Sequence, residues 1–186
     1  MISKTNRVPK NDVRTRDLDA FDRKILGVLV RDAHVSYADL GGRIGLSAPA
    51  VHERVKRMRR TGVIRQTSAL LDPLAIGKPL LAFVHVDVRG WCVSAELLAV
   101  SELPEVEEVH SVAGDTSILL KVRTENSAAL EGLLARIYDV PGVVTTRSYI
   151  VLSSQLERPV QPDTTGDWPP PRRARKVSGT ARPAST

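Results

Sequence analysis

Between residues 47 and 60 a serine, a proline and a cluster of cations stand at spacings that suit one task, holding a helix against a polyanion. Ser47 can accept from a first-turn amide, and Pro49 is tolerated there because first-turn N–H groups have no helical acceptor. Val51, Val55 and Met58 recur at i, i+4 and i+7 and predict one buried stripe. Outside that stripe stand Ala50, His52, Glu53, Lys56, Arg57 and Arg60. Small residues at the start and four cations at positions 56, 57, 59 and 60 fit a helix that enters a major groove with its flanks on phosphates. Arg54 flanks the stripe, where it can reach DNA or pair with an acid that holds the helix in place. Glu53 can accept from a cytosine amine or repel phosphate and sharpen selectivity. His52 can touch a base or phosphate, or stand idle on the helix surface.

Other chemistries find no constellation. No nucleophile, base and orienting residue stand at recognisable spacing, so the reading is not an enzyme and calls for no cofactor. The single cysteine, Cys92, rules out a disulfide scaffold. Arg89 alone does not make Cys92 a reactive thiol. His85 and His110 fall on strands that are not neighbours in the expected sheet, so no metal pair is expected.

The elements needed to position the basic helix precede it. Phe21, Ile25, Leu26, Val28 and Leu29 recur at helical spacing behind a cap at Asp19, with Asp22, Arg23 and Lys24 expected on the exposed side. Ser36 and Asp39 form a capping-box-like pair before Tyr37, Leu40 and Ile44, and Gly45 suits a left-handed stop. After Gly62, residues 63–71 are expected to run extended as a small wing carrying Arg65. The unit is a winged helix-turn-helix over residues 18–71, behind an arm at 1–17 and before a linker at 72–79.

Residues 80–157 have a different period. Strands are expected at 80–88, 106–113, 117–123 and 143–152, with helices at 94–101 and from a cap at Asn126, and with Gly114 and Asp115 as a tight hairpin turn. This βαββαβ order gives a ferredoxin-like antiparallel sheet with both helices on one face, so the fold class is α+β. Phe83, His85, Leu119, Tyr149 and Val151 are expected on the other face, which is too apolar for solvent and predicts a self-complementary dimer.

Charge follows the same division. Residues 1–71 carry 15 basic and 7 acidic side chains, residues 72–157 carry 6 and 12, and residues 158–186 carry 6 and 2. A basic front suits a DNA-binding module, although charge alone fits a solvated face equally. The tail from residue 158 holds 6 of the 12 prolines and the run Arg172, Arg173, Arg175, Lys176, and is expected to be disordered. Such a tail either adds non-specific DNA affinity or does nothing. No apolar run reaches the roughly 20 residues of a membrane span, so a soluble cytoplasmic protein with no membrane partner is expected.

Over residues 18–152 the chain resembles the Lrp/AsnC family of transcription regulators. The matching motifs are LDAFDRKIL at 18–26, IGLS at 44–47, VHERVKRM at 51–58, TGVI at 61–64, VAGDTSILLK at 112–121 and PGVVTTRSYIVL at 141–152. The resemblance implies a winged helix-turn-helix, a linking strand and a RAM-type ferredoxin-like domain that pairs by its sheet. It implies a dimer that assembles further, commonly to an octamer, and an amino-acid effector. It places Ser111, Gly114, Asp115, Thr116 and Ser117 near that effector, with Ser127, Tyr149, Ile150 and Val151 as outer contributors. Backbone amides at the turn can take a carboxylate and Asp115 an ammonium group. Where many members have an acid and an aromatic after the Gly-Asp turn, this chain has Ser117 and Ile118, which leaves the effector open. Arg59 stands where many members have an acid. The expected function is a sequence-specific, ligand-responsive regulator of transcription, the alternative a ligand-independent protein that wraps DNA.

Overall fold

The computed structural model describes residues 18–90 and 98–163. They fall into two compact units, a helical head ending at Arg65 that residues 159–163 rejoin, and a sheet module over Gln66–Arg158. The expectations for the 1–17 arm, for Trp91 and Cys92, and for the tail beyond residue 163 lie outside the described residues.

The head contains α1 (Ala20–Leu29), α2 (Tyr37–Ile44) and α3 (Ala48–Arg60). Asp19, Ser36 and Ser47 cap them, each side chain accepting from an amide three residues on. Gly45 closes α2 at φ 79°, a conformation open to glycine, and its amide donates to the Gly41 carbonyl. Ile25, Leu40, Val51, Val55 and Met58 make the core. One expectation fails. Asp22, expected on the exposed side of α1, is fully buried, because two arginines of α3 take its charge. Residues 65–72, in the segment expected to run extended as a wing, form no ladder among the described residues.

The sheet module runs β1 (Leu80–Val88), a short 3-10 turn (Val100–Glu102), β2 (Val106–Ser111), β3 (Ile118–Thr124), α4 (Ser127–Tyr138) and β4 (Val143–Ile150). Of the helix expected at 94–101, positions 94–97 lie outside the described residues and Leu98 and Ala99 are helical. The strand order is β2-β3-β1-β4, antiparallel throughout. Ala82, Val84, Val86, Ile118, Leu120 and Val122 point to one face and pack with Val100, Leu130, Leu133 and Ile137. Alternation puts Phe83, His85, Leu119 and Tyr149 on the other. Val151 lies just past β4, its amide donating to the Leu81 carbonyl at 2.9 Å.

Candidate nucleic-acid interface and effector loop

Helix α3 is fixed first by apolar packing, because its buried stripe of Val51, Val55 and Met58 is the stripe the spacing predicts. Charge then locks it to α1. Arg54 Nη1 donates to Asp19 Oδ2 at 2.6 Å and to Asp22 Oδ1 at 2.9 Å, and Arg57 Nη2 donates to Asp22 Oδ2 at 2.5 Å. The Arg54 guanidinium also lies over the Phe21 ring, 5.6 Å from its centroid. Two carboxylates and two guanidiniums thus close a neutral network. Within it the Asp22 amide, and then Arg54, hold the Asp19 carboxyl below its ordinary value, while the hydrogen bonds that Arg54 donates to Asp19 and Asp22 raise Arg54.

Of the two roles open to Arg54 the structure shows the pairing with an acid, and it gives Arg57 a partner that spacing did not indicate. Arg54 is spent inside the head, and Arg57, expected to point outward, has one edge on Asp22 while 46% of its side chain stays exposed. The outward surface is left to His52, Glu53, Lys56, Arg59 and Arg60, all exposed. Lys56, Arg59 and Arg60 have no ion-pair partner among the described residues. The His52 ring lies tilted against Tyr37, centroids 5.6 Å apart, and its Nδ1 is 3.5 Å from Glu53 Oε1. Ser47 is occupied as the cap, receiving the half-buried Ala50 amide at 3.4 Å. Arg65 is exposed on the segment without a ladder.

In the sheet module, Ser111 ends β2 and the chain reaches β3 through residues 112–117. The expected tight turn is absent. Val112 donates to the Ser117 carbonyl across a six-residue connection, and Gly114 does not have a positive φ. The loop is tied down at its far end instead. The buried Thr116 hydroxyl lies 3.4 Å from the carbonyls of Val86 and Ile118, and Ser117 Oγ accepts from the Val88 amide at 3.5 Å. Arg147 reaches over from β4, donating to the Asp115 carbonyl at 3.0 Å and standing 3.6 Å from Asp87. Gly114 and the Asp115 side chain stay exposed. Sequence reasoning missed Arg147 and Asp87, although Arg147 alternates with Tyr149 inside a quoted motif.

The other expected effector residues are elsewhere. Tyr149 opposes Phe83, with its ring 4.8 Å from His85, whereas the loop end of β3 opposes Val86. Three strand residues separate these rows, about 10 Å. Ile150 opposes Ala82 and therefore points to the helix face, half-exposed at the edge. Ser127 lies beyond the far end of β3, about 20 Å from the loop along seven residues. One chain therefore gathers Ser111 and residues 114–117, and holds Ser127, Tyr149, Ile150 and Val151 apart from them. His85 and His110 flank Leu119 from either side, with β3 between their strands. That places them about 10 Å apart, too far to share a metal ion.

Comparison with known proteins agrees with both units. The AsnC-type helix-turn-helix domain matches residues 18–59 and the Lrp/AsnC ligand binding domain matches residues 81–161. The HTH-type transcriptional regulator FL11 of Pyrococcus horikoshii is 35% identical over 140 residues, 75% of this chain and 93% of that protein. The leucine-responsive regulatory protein of Escherichia coli K12 is 40% identical over 141 residues, 74% of this chain and 86% of that protein. A feast or famine regulatory protein of M. tuberculosis, solved with L-methionine, superposes with a TM-score of 0.70 at 36% identity, covering 76% of this chain and 96% of that one. With caps, buried stripe and sheet order in agreement with these matches, the chain belongs to the Lrp/AsnC family of transcriptional regulators.

Proposed function

We propose that this regulator binds specific duplex sites in the cytoplasm as a dimer or larger assembly, and that an amino acid or related small molecule changes that binding. The observation that carries the reading is α3. Its N-terminal end presents small residues and a capped turn, and its outer face presents Lys56, Arg59 and Arg60 unpaired among the described residues while Arg54 is used to fix its orientation. A rigid helix with small residues at its tip and cations on its flank matches groove entry with phosphate contacts. Two heads in a symmetric pair would read a pseudo-palindrome.

The sensing half rests on the loop at 112–117 with Asp115, Asp87 and Arg147, which offers both charges to a zwitterion, and on the L-methionine bound by the M. tuberculosis relative. An effector acts only if it binds one assembly more tightly than another. Fluorescence anisotropy with DNA from the chain's own upstream region tests the first half. Lys56→Gln and Arg60→Gln should each weaken binding, and random duplex should compete poorly. Equal competition by random duplex would replace this reading with non-specific wrapping. Titration of the twenty amino acids, read by DNA affinity and by light scattering, tests the second. No change in either readout would remove sensing.

A further inference from the structure

Helix α3 passes over the ion pair nearest to hand. Glu53 stands four residues before Arg57, the order that favours a pair along one helix. Yet Glu53 lies 3.5 Å from His52 instead, and Arg57 reaches across to α1, where its Nη2 donates to Asp22 Oδ2 at 2.5 Å. That partner is immobile: Asp22 has no exposed surface, and Arg54 holds its other oxygen at 2.9 Å. Arg57 itself is not used up. A guanidinium carries five N–H donors in a planar fork, and among the described residues Nη2 is the one Arg57 nitrogen with a partner. The side chain stays 46% exposed, beside Lys56 and one turn before Arg60, both of them exposed. Tying one nitrogen of a rigid fork to a fixed carboxylate aims its remaining edge and removes in advance the rotamer freedom that a second contact would cost.

We propose that Asp22 is a positioning residue for DNA: from inside the head it presets Arg57, whose free guanidinium edge takes a duplex phosphate oxygen. The inference rests on the reading that α3 binds duplex DNA. A phosphate suits the edge better than a base, because Arg57 lies in the last turns of α3 among cations, whereas the small residues that allow close approach stand at its first turn. Arginine takes phosphate oxygens through charge-assisted bonds, two at a time where the fork is aligned. The proposal reverses the sign expected of an acid. A carboxylate in a DNA-binding head weakens its positive field, so field alone predicts tighter binding once Asp22 is neutralised. Presetting predicts weaker binding. A phosphate contact carries no base information, so every duplex is affected alike.

The test is a salt series, from about 50 to 200 mM, of anisotropy titrations on upstream-region and random duplexes, at a temperature where circular dichroism shows each protein folded. The proteins are the full chain, Arg57→Gln, Arg57→Lys, Asp22→Asn, and the double variant with Asp22→Asn and Arg57→Gln. Arg57→Gln should lose about 5-fold at the lowest salt on both duplexes and flatten the slope of log K against log salt by about 0.9, the share of one phosphate. Arg57→Lys should keep the slope and lose about 3-fold, because an ammonium has no rigid second edge. Asp22→Asn should weaken binding about 3-fold although the head gains positive charge, and should cost nothing further beside Arg57→Gln. Asp22→Asn that binds as tightly as the full chain, or that costs the same with and without Arg57, overturns the positioning role. If Asp22→Asn does not fold, Arg57→Lys decides, since it leaves Asp22 paired with Arg54: binding equal to the full chain overturns the preset fork. An unchanged slope in Arg57→Gln, with Lys56→Gln still weakening binding, overturns the phosphate contact alone. A full chain that binds no duplex overturns the DNA reading as well.

Discussion

Asp22 is the residue on which the head's electrostatics turn. It has no exposed surface and its charge is matched by Arg54 and Arg57 from another helix. Removing one member of a buried pair strands the others, so Asp22→Ala should cost about 3 kcal/mol in urea unfolding. Asp19 gives the network a pH dependence. Its folded pKa lies below the ordinary 3.8, so its contribution is complete above the unfolded value and is lost as pH falls through the lower, folded one. Arg54 stays charged throughout. Unfolding midpoints between about pH 5 and pH 2.5 should therefore fall less steeply in Asp19→Asn than in the unchanged chain. The burial of Asp22 was legible in part, because it lies four residues after Leu18, three before Ile25 and seven before Leu29, on the apolar stripe itself. An acid on such a stripe announces a partner, but which arginine answers it depends on how two helices cross.

At the level of elements, the local signals were readable and the non-local ones were not. Asp19, Ser36, Ser47 and Asn126 all cap as their types and spacing indicate, since a cap is settled within four residues. The segment at 63–71 forms no ladder among the described residues, because a ladder needs a second chain segment that spacing cannot supply. The Gly114-Asp115 turn failed for a related reason: Thr116 and Ser117 bond to β1 and stretch the connection into a loop. The glycines of α2 give a sharp test of the helix-turn-helix corner. A Cβ on Gly41 would run into the Leu46 backbone carbonyl, whereas one on Gly42 would meet open space. Gly41→Ala should therefore lower the melting temperature by several degrees or prevent folding. Gly42→Ala, in the same helix, should stabilise by up to about 1 kcal/mol.

Across the whole molecule, the sheet face carrying Phe83, His85, Leu119 and Tyr149 is the surface through which the proposed assembly is tested. His85 Nδ1 is buried without a partner among the described residues, and Tyr149 stays 55% exposed beside it. If two such faces pack together, Leu119→Glu should place a charge in the contact and turn a dimer into a monomer by light scattering, with an unchanged circular dichroism spectrum. Pairing also bears on the effector residues, since loop 112–117 and the group around Ile150 and Val151 lie at different rows of one sheet. The motifs quoted from the sequence hold both groups, but their separation became visible only with the strand register.

The order β2-β3-β1-β4 sets a timetable for the newborn chain. The head's apolar core lies between Leu18 and Ile64, and helices of that kind close quickly. The central strand β1, by contrast, must wait with both sides bare until β3 and then β4 leave the ribosome. During translation each molecule therefore passes through a stage with a finished helical head and an unfinished sheet. If the sheet faces pair two chains as proposed, a grip on DNA by two heads at once is deferred until the last ribbon has been threaded into place.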